Sequence, residues 1–276
     1  MRPHTMNQAM TRPSVVVVVT FFGRAPLWLP AFFLSCRGNP DVQWIIYTDV
    51  TLSGAIPANV TLKPMNFREL SLRTSKAFGI PIEIRRPRKL CDLKLTYGVI
   101  FADDLRPFDF WACSDLDVIW GDIRQFVTDA RLNDYDIISS RSSRLSGHFT
   151  LFRNTAEVNR TFELIPDVAL AMANTAYRHL DERELTRYLR AHLNGPPPRS
   201  APRVYWQEEW TVDAAYQKAM GEADRLWWRN GKTFDAQGKE RMYMHFHKLK
   251  QDMKTINFGM EDSPTAFAID REGFTA

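Results

Sequence analysis

Val15-Val16-Val17-Val18-Val19-Thr20 is an unbroken β-branched run that meets no polar side chain until its end. Such a run has no wet face to alternate with a dry one, so it reads as a central strand covered on both sides, as inside parallel sheets. A sheet buried on both faces needs helices above and below it, which commits the chain to an α/β architecture. The run is too short to cross a membrane, and its flanks do not form a signal peptide.

The residues that follow keep to this plan. Leu29, Phe32, Phe33 and Cys36 recur at helical spacing within 27–36, and Gly38-Asn39-Pro40 stops the helix. Residues 43–48 read as a second strand ending at Asp49, which closes a βαβ unit. A third strand over 59–65, helices over 66–78 and 89–101, and a strand over 108–114 continue the alternation, predicting a mostly parallel sheet flanked by helices. Beyond Asp122, 123–132 is helical, 137–141 and 148–153 are strands, and 155–193 is dominated by helix, so the C-terminal part is expected to be helix-rich. Residues 1–13 and 256–276 read as tails, and the proline-rich stretch 195–202 as a surface connector. With 276 residues and 45% hydrophobic content, the chain can bury one large core.

Several function classes drop out. No Gly-rich dinucleotide fingerprint or Walker loop follows Thr20, which argues against a dinucleotide cofactor or an ordinary ATP site. The 3 cysteines, Cys36, Cys91 and Cys113, lack metal-type spacing and read as reduced thiols of a cytosolic chain. A net charge of +4 suits an anionic ligand or an acidic membrane surface, and is too small to argue for nucleic acid.

The chemistry concentrates at Asp115-Leu116-Asp117. This triplet follows the apolar run 108–114, so it sits at the carboxyl end of a strand, where open α/β sheets collect their ligands. Two carboxylates there can hold a hard divalent cation, with other positions filled by water and phosphate. Asp134-Tyr135-Asp136 has the same pattern, but its apolar residues Ile137 and Ile138 come after it. That second pair belongs to the amino end of the next strand and reads as turn chemistry. Far downstream, 241–250 alternates like a strand and places His245 and His247 on one face; either imidazole could complete a metal site, and Lys248 or Lys250 could meet a diphosphate.

Taken in order, Thr20-Phe21-Phe22-Gly23, Tyr47-Thr48-Asp49, Lys89-Leu90-Cys91-Asp92, Cys113-Ser114-Asp115-Leu116-Asp117, Gly147-His148-Phe149-Thr150 and Met244-His245-Phe246-His247-Lys248 resemble small bacterial GT-A-type glycosyltransferases that build surface polysaccharides. The resemblance covers roughly 14–255. It implies a single GT-A-like (Rossmann-like) domain, nucleotide-binding over about 14–125 and acceptor-binding over about 126–255. It also implies a hexosyltransferase-type reaction from a nucleoside-diphosphate sugar, UDP-linked in the first instance, to the hydroxyl of a saccharide or lipid-linked saccharide. A lipid-linked acceptor would bring the chain to the inner face of the plasma membrane.

Carried over by position, the resemblance makes Asp115, Asp117 and His245 the ligands of Mn²⁺ or Mg²⁺. Thr20, Phe21, Phe22 and Asp49 would flank base and ribose, although Phe21 and Phe22 also suit a core and Asp49 a turn cap. Lys89 and Asp92 share one helical face, and with Ser114, Lys248 and the Gly147-His148 turn they would contact phosphates and sugar. Glu208 and Glu209, between Trp206 and Trp210, resemble the family's acidic Asp-Glu-Trp-like element and are the expected general base. Two other readings compete. Asp115-Leu116-Asp117-Val118 also resembles the nucleophile loop of haloacid-dehalogenase-type phosphatases, and Trp206, Trp210, Trp227 and Trp228 could be stacking faces of a non-catalytic carbohydrate-binding protein.

Overall fold

The computed structural model describes residues 12–52, 54–193 and 201–276. Most of the expected N-terminal tail and of the proline-rich connector therefore lies outside the described residues. The valine run forms β1 (Val15–Phe21), with β2 (Val42–Thr48) on one side and, further along the chain, β4 (Phe110–Ser114) on the other, both parallel to it. β3 (Val60–Pro64) extends the sheet beyond β2. β5 (Val118–Trp120) leaves this sheet, whereas β6 (Ile137–Ser139), β7 (Phe149–Arg153) and β8 (Val204–Tyr205) complete it in the order β3-β2-β1-β4-β7-β6-β8. Pairing is parallel except where β7 meets β4 and β6. The result is a mixed α/β fold around a mostly parallel sheet.

Burial of the run on both faces is complete. Val15, Val17 and Val19 enter one hydrophobic core, and Val16 and Val18 enter another on the opposite face. Each such side chain contributes roughly 1.5–3 kcal/mol by leaving water. Helix α1 (Leu29–Arg37) covers the first face with Phe32, Phe33 and Cys36. Helix α2 (Phe67–Phe78) lies on the second and starts with a reciprocal cap, in which the Asn66 side chain accepts from Glu69 N and the Glu69 carboxylate accepts from Asn66 N.

The expected helix over 89–101 is present in broken form, alternating 3₁₀ turns at Pro87–Lys89 and Lys94–Thr96 with α turns at Leu90–Leu93 and Tyr97–Ile100. The helical stretches expected over 123–132 and 155–193 are present as short helices, and a further one follows at Ala214–Ala219. After 201 the chain also builds a second, 6-stranded sheet from β9 (Leu226–Arg229), β10 (Lys232–Phe234), β11 (Glu240–Arg241), β13 (Thr255–Ile256), β14 (Ala266–Ile269) and β15 (Gly273–Thr275). β12 (Tyr243–His245), between β11 and β13, pairs instead with β5.

Two expectations are corrected here. Residues 256–276 are not a tail: Phe267, Ile269 and Phe274 are buried in the first core, and β14 pairs with β9. Gly273, at φ 147, is fixed by that packing, because a Cβ there would lie 1.9 Å from the Thr255 carbonyl oxygen. Residues 241–250 are not one strand either. Pairing with β5 ends at His245, and Leu249–Gln251 turns into a 3₁₀ helix, which takes Lys248 and Lys250 off the strand.

Candidate active site

β4 ends at Ser114, so Asp115 and Asp117 occupy the turn at its carboxyl end, as the apolar run predicts. His245 arrives by a separate route. β12 runs antiparallel to β5 with His245 opposite Val118, and Phe246 N donates to the Asp117 carbonyl, which sets the imidazole beside the acidic turn. One ligand atom from each of Asp115, Asp117 and His245 lies within 4.8 Å of the others. His245 Nε2 is 3.4 Å from Asp117 Oδ2 and 3.9 Å from Asp115 Oδ2. Two carboxylates and an imidazole at that spacing fit Mn²⁺ or Mg²⁺, with the remaining positions left to water and phosphate oxygens.

Two lysines flank the pair. Lys94 Nζ donates to Asp115 Oδ1 at 2.5 Å and to the Gly147 carbonyl at 2.6 Å, and Lys250 Nζ donates to Asp117 Oδ2 at 2.6 Å. Burial would raise the Asp117 carboxyl, but His245 and Lys250 outweigh it and hold the group well below the usual carboxylate range. Burial likewise opposes charge on Lys94, and Asp115 overrides it.

A third carboxyl completes the surroundings. Asp181 is 4% exposed, and burial pushes it up to about 7, with Lys94 pulling the other way. Its Oδ1 accepts from the Tyr177 hydroxyl. A Cβ on Gly147 would stand 2.5 Å from Asp181 Oδ2 and 3.6 Å from Lys94 Nζ, so the glycine admits both groups. His148 is buried, and burial depresses its pKa well below the ordinary histidine value. Its Nδ1 meets the Tyr243 hydroxyl and Ser146 Oγ.

Lys94 and Asp181 were not singled out by the sequence. Lys94 lies in the same block as Lys89, two residues past Asp92. In a regular helix it would be turned about 140° from Lys89, and that opposite face is the one against the site. Asp181 sits in the acidic-basic string Asp181-Glu182-Arg183-Glu184, where no spacing marks it.

Lys89 and Asp92 do share a face, but it is an interior one. Both are buried and paired at 2.9 Å; Lys89 also donates to the Ala171 and Ala176 carbonyls, and Asp92 accepts from Arg178 N and Leu180 N. They tie the 171–180 loop to the helix and have no donor left for a phosphate, which corrects that expectation. Ser114 is buried and donates to the His148 carbonyl. Thr20 Oγ1 bonds the Tyr97 hydroxyl, and Phe22 packs on Phe67. Phe21 lines a small apolar pocket, with room for about one water molecule, together with Thr48, Val50, Leu52 and Leu116, beside the acidic turn. Asp49 Oδ1 accepts from Gly23 N and so joins the ends of β1 and β2. Lys248 contributes its backbone N–H to Gln217 Oε1.

The acidic pair farther along has other partners than the cluster. Glu208 accepts from Arg131 and from Trp210 Nε1, and Glu209 accepts from Ser142 N and Oγ and pairs with Arg141. Asp136 of the second acidic triplet accepts from Arg153 Nε and Arg203 N, a structural turn as expected. Of the four tryptophans weighed as stacking faces, Trp210 and Trp228 are buried.

A model described as a family of unknown function (DUF6625) matches residues 17–276. No curated protein matches the sequence. Among solved structures, the chain is similar to the galactosyltransferase LgtC in complex with donor and acceptor sugar analogues, at 11% identity over 75% of this chain and 78% of that one, with a TM-score of 0.42. It is also similar to a glycosyltransferase involved in glycosylating the major capsid of the virus PBCV-1, at 9% identity over 87% and 96%, TM-score 0.44. A third is mouse xyloside xylosyltransferase 1 in its apo form, at 10% identity over 74% and 90%, TM-score 0.42.

Proposed function

We propose that this chain, which belongs to the family of unknown function DUF6625, is a metal-dependent glycosyltransferase that moves a sugar from a nucleoside diphosphate, UDP in the first instance, to an acceptor hydroxyl. The observation that carries the reading is the convergence of Asp115, Asp117 and His245 at the carboxyl edge of the parallel sheet, with Lys94 and Lys250 against the same carboxylates. A divalent cation held there would supply Lewis-acid neutralisation of the departing diphosphate. The remaining work falls to the chain. Phe21, at the end of β1, and Asp49, which joins the ends of β1 and β2, are the residues proposed to flank the base and ribose. Lys250, partly exposed, is placed to follow a phosphate oxygen.

Asp181 is the carboxyl best suited to a sugar hydroxyl. A group titrating near neutrality can accept a proton from a hydroxyl or donate a hydrogen bond to one. It replaces Glu208 and Glu209 in that role, since their oxygens are engaged by Arg131, Trp210, Ser142 and Arg141. Transfer of a hexose during surface-polysaccharide assembly, onto a saccharide or lipid-linked acceptor at the inner face of the plasma membrane, is the biological setting proposed for it. Among the described residues, no helix is long and apolar enough to cross a membrane.

Calorimetry with UDP and Mn²⁺ tests the proposal. Binding should require both and vanish in Asp117→Ala while the fold persists; metal-independent binding would refute it. Release of phosphate from a generic phosphate ester would favour the phosphatase reading instead. The carbohydrate-binding reading predicts sugar affinity without nucleotide, and it has already lost Trp210 and Trp228 to the core.

A further inference from the structure

Three imidazoles gather at the acidic turn, and only His245 reaches the carboxylates. The His148 ring lies 4.2 Å from the His245 ring at 30°, and the His247 ring lies 4.8 Å from it at 21°. His148 is itself held hard. Its Nδ1 is 2.5 Å from the Tyr243 hydroxyl and 3.0 Å from Ser146 Oγ, and the Tyr243 hydroxyl is 2.6 Å from Ser140 Oγ. The chain of contacts thus joins the end of β6, the turn before β7 and β12, all buried, and stops at the face of His245.

We propose that His148 is a positioning residue, whose ring fixes the plane of His245 so that Nε2 points between Asp115 and Asp117, and that it thereby sets the cation affinity of the site. The proposal rests on the cation reading above and gives His148 a task other than touching the donor sugar. A histidine side chain at the end of a strand has two free torsions, and the backbone alone does not select the rotamer that presents Nε2. A flat ring packed against the imidazole does. Ligand histidines elsewhere are fixed by a hydrogen bond to the second ring nitrogen, and losing that support costs about 10–100-fold in metal affinity. Here ring contact takes over that part. His148 is anchored by hydroxyls from two elements, so its own ring cannot turn away.

The test is Mn²⁺ titration of the full chain by calorimetry, with the visible spectrum of the Co²⁺-loaded chain as a second readout. His148→Ala should weaken Mn²⁺ binding about tenfold and alter the Co²⁺ bands at saturation. His148→Phe keeps a flat ring but gives up its anchor, and Tyr243→Phe keeps the His148 ring but loosens the same anchor, so both should fall between the unsubstituted chain and His148→Ala. Tyr243→Phe also serves if His148→Ala does not fold. Equal Mn²⁺ affinity in His148→Ala, or a His148→Phe chain as weak as His148→Ala, overturns the proposal. If the unsubstituted chain binds Mn²⁺ and Asp117→Ala abolishes it, a failure at His148 leaves the cation reading standing. If the unsubstituted chain does not bind Mn²⁺, both fall together.

Discussion

Asp181→Asn should remove one contribution to the pH dependence of stability above pH 5. In the folded chain burial lifts the Asp181 carboxyl to about 7, against about 3.9 for an unfolded aspartate. Between those values the folded state holds a proton that the unfolded state has lost, so stability falls as pH rises, and the loss is complete above the folded value. Integrating from pH 5 to pH 8 with these two constants gives close to two pH units of unbalanced protonation, or about 2–3 kcal/mol. Asparagine is nearly isosteric, keeps an oxygen for the Tyr177 hydroxyl, and never needs to ionise. The variant should therefore gain about 2–3 kcal/mol on the unsubstituted chain between pH 5 and pH 8, a relative Tm shift of about 3–5 °C. Calorimetric melts with a chelator present measure it, because a bound cation would itself favour the carboxylate. Parallel pH profiles for the two chains would refute the argument, since Asp181 would then ionise at its ordinary value.

Two further expectations concern the acidic pair between the tryptophans and the last strand. Glu208→Gln and Glu209→Gln should retain transfer within about threefold, as surface ion pairs contribute about 0–1 kcal/mol, and a loss of two orders of magnitude would return the base role to them. Gly273→Ala should destabilise the whole chain by more than about 3 kcal/mol, because its Cβ would collide with the Thr255 carbonyl; an unchanged denaturation midpoint would mean that the last strands are dispensable.

The parts legible in the sequence are those where a local pattern and a global position coincide. The valine run dictated a strand buried on both faces, and strand polarity separated Asp115-Leu116-Asp117 from Asp134-Tyr135-Asp136 without any other information. The second sheet was hidden because its strands are 2–4 residues long, too short for a period to emerge. One signal was available: Asn230-Gly231, at φ 47 and φ 80, is the two-residue turn joining β9 to β10, and that dipeptide favours such hairpins. For the lysines the periodicity was correct and the face was wrong. Lys89 and Asp92 meet as a helical pair, yet which side of that helix faces the ligand depends on the 171–180 loop, which local spacing does not encode.

Charge balance assigns the two lysines at the site different tasks. With Asp115 against Lys94 and Asp117 against Lys250, the cluster is close to neutral without a cation. A divalent ion would add two positive charges that the two carboxylates cannot offset while both ammonium groups stay in place, and unbalanced charge in a partly desolvated site is costly. The diphosphate of a nucleotide sugar would bring about two negative charges and restore the balance, and an ammonium displaced from its carboxylate by the cation would then find a partner in a phosphate oxygen. Lys94 has no freedom to do so: its side chain is 4% exposed and it also holds the Gly147 carbonyl. Lys250, 37% exposed on a 3₁₀ turn beyond the strand, can. The break in the predicted strand after His245 therefore puts the imidazole on rigid, paired backbone and the more exposed lysine on the turn that follows, so that one short segment would offer a cation both a fixed side chain and a counter-charge able to move aside.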